Sequence, residues 1–257
     1  MPWSCISDKT PTPGYKPVYE ERTYRHTIKD TDLVSFTARV KETDLYIRAE
    51  RDLAAEALSA IEECRAPLEK YIQNHPLFLH SLEPLLVAED APAIVKTMAG
   101  AGRQAGVGPM AAVAGAMAGM VGRKLLQYSR EIVVENGGDI FMQTRKKRMV
   151  GIFAGRSPFS GKLALEISPE MMPAGICASS GTVGPSLSLG LADAAIVLSH
   201  SPALSDAAAT AVANLVKAAD DIQAALDFGR KIEGILGIVV IKGDRMGAWG
   251  EVKLVRT

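Results

Sequence analysis

The chain is short of several things, and each shortage closes off a class of function. It has 3 cysteines in 257 residues, Cys5, Cys64 and Cys177, an odd number at wide spacing. That excludes a disulfide framework, and with no CxxC and only 4 histidines it excludes a zinc-ribbon pattern as well. A reducing, cytoplasmic compartment is the expectation. Net charge is also missing, because 29 Lys+Arg balance 29 Asp+Glu. No overall basic field exists to attract nucleic acid. Aromatic residues are few, at 5%. Long apolar runs are missing too. The best candidate, Gly106 to Gly122, is about 17 residues of mostly Ala and Gly, at the lower limit for a membrane span. It reads as a tightly packed helix, closed by Arg123 and Lys124, and no membrane association is expected. The opening MPWSCISDKTPTPGYKP carries no apolar core, so no signal peptide is expected there, and residues 1–17 read as a loose arm.

What remains is an ordinary folding balance, 47% apolar and 23% charged. One domain spanning 1–257 is the expectation. Residues 18–50 alternate in strand fashion, with Val34, Phe36, Ala38 and Val40 on one face and Leu45 and Ile47 after a polar break. From Arg51 to Gln73 the period becomes helical: Leu53, Ala57, Leu58, Ile61, Cys64, Leu68 and Tyr71 form one stripe, with Pro67 a point of kinking. Residues 75–89 read as a packed connection. Pro92 opens a helix that Gly100 and Gly102 should stop, and Pro109 opens a second one through Tyr128. In the second, Ala111, Ala112, Ala114, Gly115, Ala118, Gly119 and Gly122 leave a thin helix that lets a backbone or a ligand approach. Its Met-rich apolar face is as suited to a subunit interface as to a core, and a homo-oligomer is expected from it.

Strand-like segments follow at 131–135, 139–143, 149–154, 162–167, 175–178 and 192–199. An Ala-rich helix at 205–217 and a further helix at 220–231 come next. Strands at 235–241 and 250–255, joined by a Lys-Gly-Asp-Arg turn, close the chain. Strands and helices are grouped rather than alternating, which predicts an α+β fold: a mostly antiparallel sheet packed with Ala/Gly-rich helices. The basic run Arg145 to Arg148 lies between two strands and reads as a solvated hairpin tip.

Three constellations carry candidate chemistry. Asn136-Gly137-Gly138-Asp139 follows a buried-strand signal; its glycines allow positive φ and expose amides that suit an anion, and the same residues also make a plain β-turn. Ser179-Ser180-Gly181-Thr182 offers hydroxyls and unencumbered amides for a phosphate or carboxylate, or is a polar loop. Asp206 and Thr210, four apart on a helix, set a carboxylate and a hydroxyl on one face, where they can share a hard cation such as Mg²⁺. The alternative there is a helix start with Ser205 or Asp206 as N-cap. A serine-hydrolase pattern is missing, since no GxSxG occurs. Gly100-Ala101-Gly102 follows a helical segment, the wrong context for a dinucleotide fingerprint.

Taken in order, the small-residue helix, the GGD turn, the Ser-Ser-Gly segment and the D-A-x-x-T helix resemble the ApbE family of flavin transferases over about Gly108 to Thr210. A fuller resemblance, to an uncharacterised prokaryotic family grouped with ApbE as a structural relative, rests on VKETDLYIRAERDL (40–53), GVGPMAAVAGA (106–116), VENGGDI (134–140), ASSGTVG (178–184) and GDRMGAWG (243–250). The ApbE resemblance implies FAD or FMN and Mg²⁺ as cofactors, a nucleotide ligand and a protein acceptor. It puts Asp206 and Thr210 at the metal, and Asn136 to Asp139 with Ser179 to Thr182 at the flavin nucleotide. Two departures stand out. The transferases have Lys where Ala114 stands, and a longer His-containing segment where only Gly184 to Gly190 remains. A binder that has lost the transfer chemistry, or a diverged enzyme with another substrate held by Arg156, Lys162 and Arg245, are the alternatives.

Overall fold

The computed structural model describes residues 32–182 and 189–257. Residues 1–31 and 183–188 fall outside it, and with them the arm expected at 1–17, part of the first strand region, and most of the Gly184–Gly190 segment.

Eight strands form one antiparallel sheet: β1 (Val34–Val40), β2 (Thr43–Ala49), β3 (Ile132–Asn136), β4 (Asp139–Gln143), β7 (Ala174–Ser179), β8 (Ala194–Ser199), β9 (Ile235–Lys242) and β10 (Arg245–Gly250), in that spatial order. A second sheet of three strands, ordered β11 (Leu254–Arg256), β6 (Leu163–Ile167) and β5 (Arg148–Gly151), is antiparallel too. Period-two alternation sorts the large sheet into two faces. Leu45, Ile47, Ile132, Val134, Phe141, Val197, Ile238 and Val240 pack under the helices. Ile140, Met142, Ile176, Ile196, Val239 and Ile241 pack on the small sheet with Val150, Leu165 and Ile167. The fold is α+β, as expected. The central strand β8, AAIVLS, is buried at every position because both its faces are covered.

The helices are α1 (Ala54–Asn74), the short α2 (Leu77–His80), α3 (Ala93–Ala105), α4 (Val113–Leu125), α5 (Pro202–Leu215) and α6 (Ile222–Gly229). Pro67 is accommodated inside α1, and the stripe is buried at Leu53, Ala57, Ile61, Cys64 and Leu68, while Leu58 faces outward. Among the described residues no single helix is long and apolar enough to cross a membrane.

Several expectations are corrected. Helix α3 runs through Gly100 and Gly102 and ends only at Gly106, which takes the left-handed conformation at φ 75°. Pro109 starts a 3₁₀ turn, Pro109–Ala112, and α4 proper stops at Leu125 rather than Tyr128. Helix α5 starts at Pro202 with Ser201 as N-cap, so neither Ser205 nor Asp206 caps it. The closing hairpin has its turn at Lys242 to Arg245 as expected, but its second strand starts at Arg245, not Gly250. The run 145–148 is no solvated tip. Arg148 is buried and paired with Asp32 (2.7 Å) and Glu131 (2.9 Å), while Lys146 pairs with Asp32 and Lys147 with Glu166.

The small residues of α4 serve backbone contact. A Cβ on Gly115 would lie 2.2 Å from the Pro202 carbonyl oxygen, and one on Gly122 would lie 2.1 Å from the Phe141 ring. Across the interface a Cβ on Gly175 of β7 would lie 2.6 Å from Pro202 Cα. The turn at Pro202 is therefore wedged between two glycines, and α4 is a core element. Inside α5, Ser205 Oγ donates to the Gly175 carbonyl (3.0 Å) and shares a hydrogen bond with Ser199 Oγ (2.8 Å), which fixes helix to strand.

Two outcomes follow for stability. Gly115→Ala should cost about 2 kcal/mol or more in denaturant unfolding, because backbone rather than a flexible side chain has to move; a change below 0.5 kcal/mol would refute the wedge. The Arg148 and Lys146 side chains hold Asp32 well below the usual carboxylate range. A lowered folded pKa contributes stability above the unfolded value, and that contribution is lost as pH falls. Asp32→Asn should thus cost roughly 1–3 kcal/mol at pH 7, with Glu131 left as the second partner of Arg148. The gap to wild type should close below about pH 4.

Candidate functional site

The site is assembled where α4, α5 and the ends of β3, β4 and β7 meet on the helix face of the large sheet. Asn136 and Asp139 pair across a two-residue hairpin whose tip, Gly137 and Gly138, has φ of 69° and 108°. Both values need glycine, and a Cβ on Gly138 would meet nothing within 4 Å, so this tip opens to space. The plain turn and an exposed-amide tip are here the same structure.

Asp139 lies two residues before Phe141 and therefore faces the helices, as does Asn136 two residues after Val134. Cys177 and Ser179 of β7 stand opposite Val197 and Ala195, which share that face. From the helix side comes Asp206, one turn into α5, with Thr210 a further turn along the same face; both are half-buried.

Asp206 has a structural task. Helix α4 has no cap from its own flanking residue, Ala112. Its N–H groups at Ala114 and Gly115 instead point at the Asp206 carboxylate, with Gly115 N–H donating to Oδ2 at 2.8 Å. A carboxylate 91 residues away thus satisfies orphan amides at a helix N-terminus. The Ala114 carbonyl accepts from Asn136 Nδ2 at 3.2 Å, so both backbone groups of Ala114 are engaged.

Burial, and then the facing Asp139 carboxylate, push the Asp206 carboxyl well above the ordinary carboxylate range, against the pull of the two amides. The Cys177 thiol is likewise pushed up by burial and by both carboxylates, and it donates to the Pro202 carbonyl at 3.2 Å. A thiol held protonated in this way is no nucleophile. Two carboxylates facing each other in a packed site call for a proton or a cation between them.

The Ser179–Thr182 segment lies at the end of β7. Ser180 Oγ contacts Thr182 Oγ1 (3.3 Å) and donates to the Ala192 carbonyl (3.3 Å), and Gly181 N–H donates to the same carbonyl (2.9 Å). A Cβ on Gly181 would lie 2.0 Å from the Gly190 carbonyl oxygen, so the glycine is required by a crossing chain. Thr182 Oγ1 donates to Asp193 Oδ1 (3.2 Å), and Asp193 Oδ2 accepts from Gly243 N–H (2.6 Å). Asp193, Cys177 and the Asn136–Ala114 clasp were not singled out from the sequence. Asp193 stands as a lone carboxylate immediately before the buried strand β8, the one signal that marks it.

The clamp candidates do not converge: Arg245 pairs with Asp220, and Arg156 and Lys162 are exposed on the β5–β6 connection. Two surface hollows lie elsewhere. One of about 450 Å³ is bounded by Arg103, Gly106, Phe228 and Lys231, and one of about 380 Å³ by Glu63, Lys124 and Tyr128. Both are open surface grooves without buried titratable groups, and the chemistry at Asp139 and Asp206 outweighs them.

A raised folded pKa contributes stability below the unfolded value, which is lost as pH rises through the folded pKa. Asp206→Asn keeps an acceptor for Gly115 N–H and removes the charge. In EDTA the variant should therefore gain stability relative to wild type as pH climbs above about 4, by up to about 1.4 kcal/mol per pH unit. Parallel pH profiles would show that the carboxylates do not repel.

The family model described as AbpE bacteria matches residues 25–253. A UPF0280 protein of Methanocella arvoryzae is 40% identical over 220 residues, covering 85% of this chain and 89% of its own. Another, from Methanospirillum hungatei, is 44% identical over 215 residues, covering 83% and 86%. Among solved structures, the apo flavinyl transferase ApbE of Pseudomonas stutzeri superposes with a TM-score of 0.53 at 14% identity, over 84% of this chain and 94% of its own. The ApbE protein of Thermotoga maritima gives 0.53 at 11% identity, over 85% and 97%. At such identities the likeness is one of fold.

Proposed function

The chain belongs to the family described as AbpE bacteria, and on that premise we propose that it binds a flavin nucleotide, FAD or FMN, in a Mg²⁺-dependent manner. The observation that carries this is the convergence of Asp139, Asp206 and the open Gly137–Gly138 tip beside the Ser179–Thr182 turn.

The donor chemistry fits a hard cation. Asp206, Asp139 and Thr210 offer two carboxylates and a hydroxyl, all oxygen. Among the described residues no cluster of three or more His, Cys, Asp or Glu is arranged to enclose a metal. Mg²⁺ commonly takes one or two carboxylates and completes its shell with water and substrate phosphates, so a sparse protein ligand set suits it. A bound Mg²⁺ would neutralise the facing carboxylates and draw a pyrophosphate to them. Asp206 would serve it with the oxygen that Gly115 N–H leaves available. Asn136 holds the first turn of α4 in place, and the Gly137–Gly138 amides and the hydroxyls of Ser179, Ser180 and Thr182 meet the nucleotide. A protein acceptor would be required for transfer of the FMN part.

A second reading has its own observation. Ala114 stands where ApbE transferases have Lys, and its methyl offers no titratable group, while its amide and carbonyl are spent on Asp206 and Asn136. This favours a flavin-nucleotide binder that performs no transfer.

Thermal unfolding with FAD, FMN and ATP, each with and without Mg²⁺, tests binding. At about a hundred times Kd, FAD with Mg²⁺ should raise Tm by about 5 to 10 °C, and Asp206→Asn, which keeps an acceptor for Gly115 N–H, should abolish the metal dependence. No shift with any flavin would sink the reading. Release of AMP from FAD in the presence of an acceptor protein would separate transferase from binder.

A further inference from the structure

The connection from β5 to β6, residues 152–162, has no part in the reading above. It is closed on itself. Gly161 N–H donates to the Ile152 carbonyl (2.9 Å), Ile152 N–H to the Leu163 carbonyl (2.8 Å) and Ser157 N–H to the Ala154 carbonyl (2.9 Å). Ala154 N–H donates to Ser160 Oγ (3.0 Å). Ile152 and Ala154 are buried beneath this tip, at 2% and 0% exposure, while Phe153 between them is turned outward at 50%. Arg156 is exposed after Gly155, whose φ is 51°, and makes no ion pair with another described residue.

A hydrogen-bond relay joins the tip to the candidate site. Ser157 Oγ donates to the Gly243 carbonyl (2.7 Å), Gly243 N–H donates to Asp193 Oδ2 (2.6 Å), and Thr182 Oγ1 donates to Asp193 Oδ1 (3.2 Å). The tip, the β9–β10 turn and the Ser179–Thr182 turn are thus consecutive neighbours along one rim. Lys242 Nζ, 3.9 Å from Asp193 Oδ1, adds a cation to it. A lone exposed hydrophobe ordinarily needs no explanation. Here the ring is carried on a tip whose backbone is closed by its own hydrogen bonds, three residues before an exposed guanidinium and joined through Ser157 to the rim that includes the Thr182 hydroxyl. An exposed ring and an exposed guanidinium three residues apart on one backbone tip are the two groups that a planar ligand bearing a phosphate uses.

We propose that residues 152–162 form the outer wall of the ligand site, with Phe153 stacking on a planar aromatic ring and Arg156 pairing with a phosphate. The chemical class is an aromatic phosphate ester. The inference rests on the flavin reading, from which its test is separable.

Calorimetric titration of the full chain with FMN and with riboflavin, which has the ring and no phosphate, is the experiment. Phe153→Ala should weaken both by roughly tenfold, the size of one stacking contact, and Phe153→Tyr should restore them. Arg156→Ala should weaken FMN by roughly tenfold and leave riboflavin within twofold. Both side chains are exposed, so an unchanged Tm confirms folded variants. Wild-type binding with both alanine variants within twofold for FMN overturns the inference and leaves the flavin reading standing. Failure of the wild-type chain to bind either flavin overturns the flavin reading, and the inference with it.

Discussion

The first turn of α5 touches the backbone of α4 on one side and of β7 on the other, and the distances in the candidate site follow from that double contact. Gly115 and Gly175 have no Cβ because Pro202 occupies the space. With side chains at either position, α5 would stand off by the width of a methyl group. The Gly115 amide would no longer reach Asp206, and the Cys177 thiol would no longer reach the Pro202 carbonyl. Ser205 secures the same contact from within, through hydrogen bonds to β7 and β8. Interiors are close-packed and do not deform continuously, so such a wedge sets geometry as well as stability.

Electrostatic cost accompanies the close approach. The wedge brings Asp206 up to Asp139 and withdraws its carboxylate from much of the solvent, which raises Asp206 toward its neutral form. In return the carboxylate closes the N-terminus of α4, whose own flanking residue is an alanine. Removing that carboxylate would leave two amides without an acceptor, a penalty of the order of 1–3 kcal/mol each for buried groups. Asp206 therefore belongs to the fold and to the candidate site together. A variant that keeps an acceptor separates the two roles, whereas an alanine removes both.

How much of this was legible depends on the range over which each signal acts. The Asn-Gly-Gly-Asp hairpin could be read because two glycines between strand-like runs specify positive φ locally. The alternation of β2 and β4 and the stripe of α1 were legible for the same reason. Glycine is a poor helix former, so Gly100 and Gly102 signal the end of α3 too early. Gly102 stands inside the helix because a Cβ there would lie 2.7 Å from the Val107 carbonyl oxygen, a contact invisible along the chain; nothing around Gly100 requires glycine. The start of α5 was set too late, since Ser205 and Asp206 look like caps; Ser201 and Pro202 take that place, which frees Asp206 to cap a different helix. Arg148 looked like one of four solvated cations, and its burial depends on Asp32 and Glu131, at the far and near ends of a long separation. In the candidate site, the residues with chemically suitable side chains, Asn136, Asp139, Ser179 to Thr182, Asp206 and Thr210, are visible in the sequence by type and order, and their convergence comes from the fold. The ones that hold them, Cys177, Asp193 and the clasp from Asn136 to Ala114, act through tertiary contact, and of these only Asp193, set directly before the buried strand β8, carries a local signal.

Ala114 connects the fold to the choice between binding and transfer. At the start of α4 a side chain with a titratable end would sit beside both carboxylates, where it could lower their repulsion and move a proton. An alanine leaves that work to whatever enters the site. The facing carboxylates are then balanced by a proton on Asp206, or, on the proposed reading, by Mg²⁺ arriving with a phosphate group. The proposed metal-linked binding would call on the groups already held by the fold: the Gly137–Gly138 hairpin tip, the N-terminus of α4 capped by Asp206 and the hydrogen-bonded Ser179–Thr182 turn. Chemistry on the bound nucleotide needs a movable proton or a poised nucleophile in addition. Among the described groups beside the carboxylates, the Cys177 thiol is held protonated by its burial. On the proposed flavin reading, the demand for any transfer chemistry would fall on the acceptor and on the cation, and the residues described would serve to hold the nucleotide.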